Sequence, residues 1–271
     1  MRRRFSASDQ LVNRDDNMTI RFSMGDAIEL ARYQKAPIYL HPTFFITAVM
    51  LAWPFWSIGS LRGLELAGLF IVVILGSVLL HELAHAVMAE RYGLSALRID
   101  IHALGGVVQF WYQPLKRSQD FVITLAGPMS NLAIGLVALA LLALVPPPES
   151  TTIEIDGRLF SVLPTEKGFL EQLLRGSAYL NLGLCVVNLI PAFPLDGGKL
   201  VYLVIDRRWG PRVAALIVSA LGLAFACAST FVFIRLAGYP IWAPPAFATN
   251  WRAFQSARRG KGGWNSNALE A

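Results

Sequence analysis

Five consecutive residues, His81-Glu82-Leu83-Ala84-His85, carry side chains suited to metal-dependent hydrolysis. On a helix, residues four positions apart lie on one face, so both imidazoles can reach one zinc ion. Glu82 is offset by one residue and can act as general base toward a zinc-bound water. These residues lie within a long apolar run, where ionisable side chains are costly and mark functional sites. The alternative is a polar cluster that pairs with neighbouring helices, which three ionisable residues in so short a run disfavour.

A catalytic zinc ion needs a third protein ligand and an open position for water. His41 begins an apolar run and is expected to anchor a helix there, while His102 is expected to be structural or to contact substrate. Glu65 lies too far along the helix that carries the histidines. Asp196 lies in PAFPLDGGK, where prolines and glycines break an apolar run, and broken helices in membranes line cavities or are buried in protein. Asp196 is therefore the predicted third ligand, the alternative being a simple kink with a solvated carboxylate.

The composition indicates that these residues lie in an integral membrane protein. Of 271 residues, 55% are hydrophobic and 15% are charged, against about 25% charged in soluble domains. Several apolar runs reach the ~20 residues that cross a bilayer as a helix. A soluble fold, a disordered chain and a disulfide scaffold are excluded, and Cys185 and Cys227 are predicted to be buried and unpaired. The net charge of +6 is attributed to cytoplasmic loops and not to nucleic-acid binding.

The apolar runs predict an all-α polytopic membrane protein with five to six transmembrane helices and a short membrane-associated β-hairpin. The five predicted spans cover about 38–57, 64–90, 120–145, 177–205 and 211–234. A half-span hidden in 236–251 would make a sixth. The stretch IDIHALGGVVQFWY is β-rich around Gly105–Gly106 and predicts the hairpin, which would dip into the membrane interface. Residues 23–35 are expected to form a short interfacial helix.

Lys and Arg are concentrated before the first span, between the second and third, and after the fourth, which places those segments in the cytoplasm. At ~1.5 Å per residue, His81 and Asp196 lie roughly 15 Å from the cytoplasmic ends of their helices, and His85 roughly 9 Å. Asn131 lies at a similar depth, about 16 Å, and Asn188 somewhat deeper. Each amide could donate to an oxyanion or form an interhelical hydrogen bond, and both interpretations stay open.

The predicted organisation has three parts. Residues 1–36 form a cytoplasmic segment without a cleavable signal, because no apolar region follows the early arginines. Residues 37–239 form the transmembrane domain, and residues 240–271 form a C-terminal tail.

Together the motifs resemble the site-2 protease family of intramembrane zinc metalloproteases. The resemblance rests on HELAH, on AGPMSN (126–131) and on NLIPAFPLDGGKL (188–200), with support from IYLHPTF and LGGVV. It implies that His81, His85 and Asp196 bind one zinc ion and that Glu82 is the catalytic glutamate. Asn131 and Asn188 would lie near the substrate or oxyanion. The Gly105–Gly106 hairpin could offer an edge to an extended substrate.

The same resemblance implies cleavage of peptide bonds within transmembrane segments of single-span proteins, with the lipid bilayer and a regulatory membrane protein as further partners. A bacterial inner membrane, with the active site toward the cytoplasm, is the expected location. The form is compact, without PDZ or CBS domains, because loop 146–176 and the tail are shorter than a domain of about 50 residues. Two rival functions are a zinc-binding pseudo-protease, disfavoured by Glu82, and a transporter with a His/Asp relay, disfavoured by the absence of a visible inverted repeat.

Overall fold

The computed structural model describes residues 27–56, 59–103, 105–111, 115–146, 151–155, 158–162, 168–237 and 245–260. Its helices are α1 (Thr43–Leu51), α2 (Trp53–Trp56), α3 (Leu61–Arg91), α4 (Arg117–Ala143), α5 (Phe169–Asn188), α6 (Asp196–Trp209), α7 (Pro211–Ala237) and α8 (Pro245–Arg258). Its strands are β1 (Ile28–Tyr33), β2 (Ala36–Leu40), β3 (Ala96–His102), β4 (Gly105–Phe110), β5 (Thr151–Ile155) and β6 (Arg158–Val162).

Three helices in the described residues are long and apolar enough to cross a membrane: α3, α4 and the Pro211–Phe231 part of α7. They coincide with three of the predicted spans, 64–90, 120–145 and 211–234. The 31 residues of α3 extend over about 46 Å, more than the ~30 Å of a hydrocarbon core. Ser60 caps α3 by accepting a 3.0 Å hydrogen bond from the Gly63 backbone N–H. The chain is thus an integral membrane protein built around long helices.

The predicted break in the fourth span is confirmed. Helix α5 ends at Asn188 and α6 begins at Asp196, with residues 189–195 forming a loop between them. The loop lies directly on the first turn of α6, since a Cβ atom at Gly197 would overlap the Leu189 backbone and one at Gly198 would overlap Ala192. The two glycines therefore allow the loop and the helix start to pack backbone against backbone.

The predicted hairpin is also confirmed, as β3 and β4 pair antiparallel with Ile101 opposite Gly106 and His102 opposite Gly105. It belongs to a four-stranded sheet of order β1-β2-β3-β4, in which β2 and β3 are parallel. The inner face of this sheet buries its apolar side chains in one core with α1 and α3, formed in part by Ile38, Leu40, Phe44, Phe70, Ile74, Ile99 and Ile101. The hairpin is therefore held against the helix that carries the histidines.

The described chain is mostly helical, as predicted, but its strands form a four-stranded sheet and a separate two-stranded hairpin, which is more β structure than the single predicted hairpin. The first span, predicted over about 38–57 with a bend or end near Pro54, is wrong at its start, since residues 38–40 belong to β2 and the short helices α1 and α2 follow. Burial alternates along β2, with Ala36, Ile38 and Leu40 buried and the residues between them partly exposed. This period of two is typical of a strand, and a hydropathy average over many residues hides it. The interfacial helix predicted for 23–35 is wrong over 28–33, which form β1 because they pair with β2.

The predicted domain boundaries remain predictions, but two elements outside 37–239 contact elements that lie within it. Strand β1 pairs with β2, and α8 packs against α7. Of the predicted half-span in 236–251, residues 238–244 lie outside the described residues, and α8 begins at Pro245. Loop 146–176 contains the β5–β6 hairpin. Within the ranges given above, no further folded domain accompanies these elements.

Candidate metal centre

Three predicted ligands lie together where α3 meets the start of α6. The Nε2 atom of His81 lies 3.1 Å from Nε2 of His85 and 3.1 Å from Oδ2 of Asp196. The distance from His85 Nε2 to the same carboxylate oxygen is 3.4 Å. The helix repeat brings His81 and His85 onto one face of α3, and the α5–α6 break brings Asp196 to them. Among the described residues, these three side chains form a group close enough together to hold a metal ion.

The other ring nitrogen of each histidine is occupied by an acceptor. His81 Nδ1 lies 2.6 Å from Oδ1 of Asn131, and His85 Nδ1 lies 2.8 Å from the backbone oxygen of Ile123. An amide or carbonyl oxygen can only accept, so we assign the proton of each neutral ring to Nδ1. Each Nε2 then presents a lone pair toward the other ring and toward Asp196, which is the tautomer that a metal ligand requires.

The donor set fits zinc. Two Nε2 lone pairs and a carboxylate oxygen face one another at 3.1–3.4 Å, an arrangement of mutually repelling acceptors unless a cation lies among them. A tetrahedral zinc ion with ligand bonds of about 2.0–2.2 Å has ligand–ligand separations of about 3.3–3.6 Å. Two histidines and a carboxylate are a known ligand set for catalytic zinc, with a fourth position open.

Helix α4 approaches this group closely at Gly127. A Cβ atom built on Gly127 would overlap Nε2 of both His81 and His85. Pro128 follows inside the helix and is fully buried. The sequence identified AGPMSN (126–131) as a motif, but it did not predict that the glycine leaves room for the imidazoles. The signal was available, because glycines in membrane helices allow a neighbouring element to approach closely.

Glu82 is buried on α3 beside the metal group, with only 6% of its surface exposed. Gly106 of the hairpin lies against it: a Cβ atom there would overlap the Glu82 side chain, and the Gly106 backbone amide donates a hydrogen bond to the carboxylate. The sequence predicted that the hairpin around Gly105 and Gly106 offers an edge to an extended substrate. The structure places Gly106 on the candidate base itself, while Gly105, with a φ of +124°, faces open space.

Asn131 lies behind His81 and is fully buried. Its Oδ1 faces His81, and its Nδ2 donates to Oδ1 of Asn181 at 2.9 Å. Asn181, also fully buried, donates to the Ser77 hydroxyl at 3.0 Å. A buried polar network thus joins α3, α4 and α5. The oxyanion role of Asn131 stays a prediction, but its amide hydrogen bonds here support a histidine. Sequence reasoning missed Asn181, although a polar residue in an apolar helix is itself a signal.

Asn188 is the last residue of α5 and is half-buried, next to the loop that leads to Asp196. Its substrate or oxyanion role is not tested by this position and stays a prediction.

His41 and His102 lie apart from the metal group. His41 follows β2, is buried, and places Nε2 3.1 Å from Oδ1 of Asp100. Arg98 donates to the same carboxylate at 2.7 Å through Nε and stacks on Tyr39. Burial, and next the nearby His41, lower the pKa of His102, partly offset by Asp100. This polar cluster belongs to the sheet.

The fold and the site together define a class: a helical integral membrane protein with a buried His-His-carboxylate group beside a glutamate. The chain belongs to Peptidase family M50, whose characteristic sequence matches residues 69–229. The match includes both histidines, Glu82 and Asp196.

Individual relatives agree with this assignment. The chain is 27% identical to a zinc metalloprotease of Methanocaldococcus jannaschii over 203 residues, which is 75% of this chain and 52% of that protein. It is 30% identical to the stage IV sporulation protein FB of Bacillus subtilis over 174 residues, covering 63% and 48% of the two chains. The chain therefore spans about half the length of these curated relatives.

A solved structure is also similar. The site-2 protease from Methanocaldococcus jannaschii superposes with a TM-score of 0.53 at 25% sequence identity. The similarity covers 88% of this chain and 97% of that one.

Proposed function

We propose that this chain is a zinc metalloprotease that hydrolyses peptide bonds in transmembrane segments of other membrane proteins. The observation that carries the proposal is the convergence of two imidazoles and a carboxylate beside a buried glutamate, on helices of membrane length. Membership of a peptidase family and relatives named zinc metalloproteases support it.

His81, His85 and Asp196 would hold the zinc ion, with the two histidines oriented by acceptors on their Nδ1 atoms. Zinc, when bound, supplies a Lewis acid that activates water near pH 7 and polarises a carbonyl. Because Asp196 comes from a different helix than the histidines, the site depends on how α6 is positioned relative to α3.

Glu82 would accept a proton from the attacking water and pass it to the leaving amine. Its neighbour Gly106 donates to the carboxylate through the backbone, which orients the side chain without offering a competing acid. Metal binding and proton transfer are thus assigned to the adjacent residues His81 and Glu82, which face Asp196 and Gly106 respectively.

The hairpin supports a way for substrate to bind. In the part of the sheet that the structure describes, β4 is an edge strand. Its second residue, Gly106, lies against the candidate base, and Gly105 precedes it beside open space. A peptide bond inside a helix is shielded by its own hydrogen bonds, so a substrate helix must unwind before cleavage. An unwound segment could pair with β4 and so present its backbone to Glu82. Asn131 and Asn188, the latter beside the α5–α6 loop, are the amides that we propose to lie near the substrate or oxyanion.

We propose five to six membrane passes. Helix α5, with 20 residues, is long enough to cross a ~30 Å core in addition to the three apolar helices. The remaining passes would consist of broken elements, among them α1–α2 and α6. Arg91 ends α3, and Arg207 and Arg208 end α6. Positive residues at these ends support a cytoplasmic side for them, about 9–18 Å from the metal site along the helices, and the membrane that we propose is a bacterial inner membrane.

The test is cleavage of a single-span reporter protein by the purified chain in liposomes. Wild type loaded with zinc should produce fragments cut within the span, and Glu82→Gln should produce none while it retains zinc. A Glu82→Gln variant that turns over in a preparation free of other proteases would refute the catalytic role.

The same experiment separates the rival functions. A pseudo-protease would bind zinc and reporter without cutting it, and a transporter would move ions without cutting it. Either result with correctly folded, zinc-loaded wild type would overturn the proposal. A regulatory membrane protein as partner would be detected as a change in cleavage rate on co-reconstitution.

A further inference from the structure

The loop that delivers Asp196 is held by a residue from the far end of the described chain. Asn250 of α8 is fully buried and makes two hydrogen bonds to Phe193. The backbone N–H of Phe193 donates to Asn250 Oδ1 at 3.2 Å, and Asn250 Nδ2 donates to the Phe193 carbonyl oxygen at 2.6 Å. A single side chain thus satisfies both polar groups of one loop residue, as a neighbouring strand would.

Residues of α6 and α7 pack closely against this contact. The Phe193 side chain is fully buried in a core with Tyr202 of α6 and with Ala214 and Val218 of α7. A Cβ atom at Gly222 of α7 would overlap the Asn250 amide. The amide of Asn250 therefore occupies a gap that the missing side chain of Gly222 leaves.

Helix α8 also forms hydrogen bonds to α7. Arg212 at the start of α7 donates to the backbone oxygens of Ala257 and Arg258 at 3.1 and 3.2 Å. These acceptors belong to the last turn of α8, where carbonyl groups have no partner within the helix. The position of α8, and hence of Asn250, is thus determined by two separate contacts with α7.

Phe193 is close in sequence to Asp196, and the intervening backbone is tightly bonded. Leu195 N–H donates to Ala192 oxygen at 2.9 Å, and Gly198 N–H donates to Leu195 oxygen at 3.0 Å. A Cβ at Gly198 would overlap Ala192. A displacement of Phe193 would therefore be transmitted to the first turn of α6.

We infer that α8 is a latch on the 189–195 loop and that Asn250 is a positioning residue for Asp196. This inference rests on the proposed function, in which Asp196 is a metal ligand. Helix α8 lies outside residues 69–229, the part matched by the peptidase family. The latch thus extends the machinery for this site beyond the family's matched segment.

Two variants test the latch from opposite sides. Asn250→Ala removes both hydrogen bonds to Phe193, whereas Gly222→Ala keeps Asn250 and displaces its amide. Ser219→Ala is the control, because it removes a fully buried hydroxyl on α7 that donates to its own helix. The full chain would be purified, stripped with a chelator and titrated with zinc, and with cobalt for its visible d–d spectrum.

Both Asn250→Ala and Gly222→Ala should bind zinc about tenfold or more weakly than wild type, as loss of support for a metal ligand does. Their cobalt spectra should change, and amide hydrogen exchange over 189–200 of the metal-free protein should accelerate. Ser219→Ala should match wild type in all three measurements.

A folded variant of either kind with wild-type zinc affinity, spectrum and exchange would overturn the latch. Loss of the whole fold in both variants would also overturn it, since the contact would then support the entire protein instead of the loop. These readouts do not need proteolysis. A wild type that binds zinc and cuts nothing would refute the proposed function. The zinc titration, cobalt spectrum and hydrogen exchange would still test the latch.

Discussion

His81 Nδ1 lies 2.6 Å from Asn131 Oδ1, so one candidate ligand on α3 is oriented by an amide on α4. The same amide is held by Asn181 on α5. An acceptor on Nδ1 keeps the proton there and leaves Nε2 free for a metal ion. The ring of His81 is therefore oriented by a polar network that is independent of the metal.

Asn131→Ala should weaken zinc binding about 10- to 100-fold, because His81 loses the acceptor that fixes its tautomer. Chelator competition on the purified protein measures the change. Asn131→Asp keeps an acceptor toward His81 but loses the donor to Asn181, so it should recover part of the affinity. Equal zinc affinity in Asn131→Ala and wild type would show that the network does not support the ligand.

Gly127→Ala should also weaken zinc binding, and for a steric reason. The added methyl group would overlap Nε2 of His81 and His85, so the two rings must separate. The matched control is Gly183→Ala in α5, where a Cβ atom meets nothing within 4 Å and the helix gains about 1 kcal/mol in propensity. Zinc titration of both variants gives the comparison, and a Gly127→Ala protein with unchanged affinity would contradict the close approach of α4.

Gly106→Ala should separate the two functions of the site. The three atoms nearest to its methyl group would all belong to Glu82, so the carboxylate would be displaced. Reporter cleavage should therefore fall about 10²- to 10⁴-fold, the contribution typical of a general base. Zinc content should stay at the wild-type level. Gly76→Ala on α3, with open space around its Cβ, should leave both quantities unchanged. Full cleavage by Gly106→Ala would show that the hairpin does not control the base.

His102 predicts a pH dependence of stability. Burial, with a contribution from His41, lowers its pKa in the folded protein, so below the usual value of about 6.5 the unfolded chain binds more protons. The folded state should lose stability as the pH falls through this range. His102→Asn should reduce this loss, as measured by thermal unfolding between pH 7.5 and about 5.0. A His102→Asn variant that loses as much stability in acid as wild type would show that His102 does not cause the pH dependence.

Much of the site could be predicted because its chemistry is local. The spacing of His81 and His85 follows from the helix repeat, and the Pro and Gly residues around Asp196 mark a broken helix. Long apolar runs predicted α3, α4 and α7 for the same reason, since each forms mainly local hydrogen bonds.

The sheet was harder to predict, because pairing partners are distant in sequence. Residues 36–40 are apolar enough to read as the start of a membrane helix, and only pairing with 28–33 and 99–101 makes them a strand. Asn250 illustrates the same limit at the site. Its hydrogen bonds to Phe193 join residues 57 positions apart, and no local pattern specifies such a contact.

The most direct test of the account is the zinc content of the full chain purified with stoichiometric zinc, measured beside Asp196→Asn and Glu82→Gln. Wild type and Glu82→Gln should each hold one tightly bound zinc ion per chain, and Asp196→Asn should lose it to a weak chelator. A wild type that binds no zinc, or an Asp196→Asn protein that holds zinc as tightly as wild type, would contradict it.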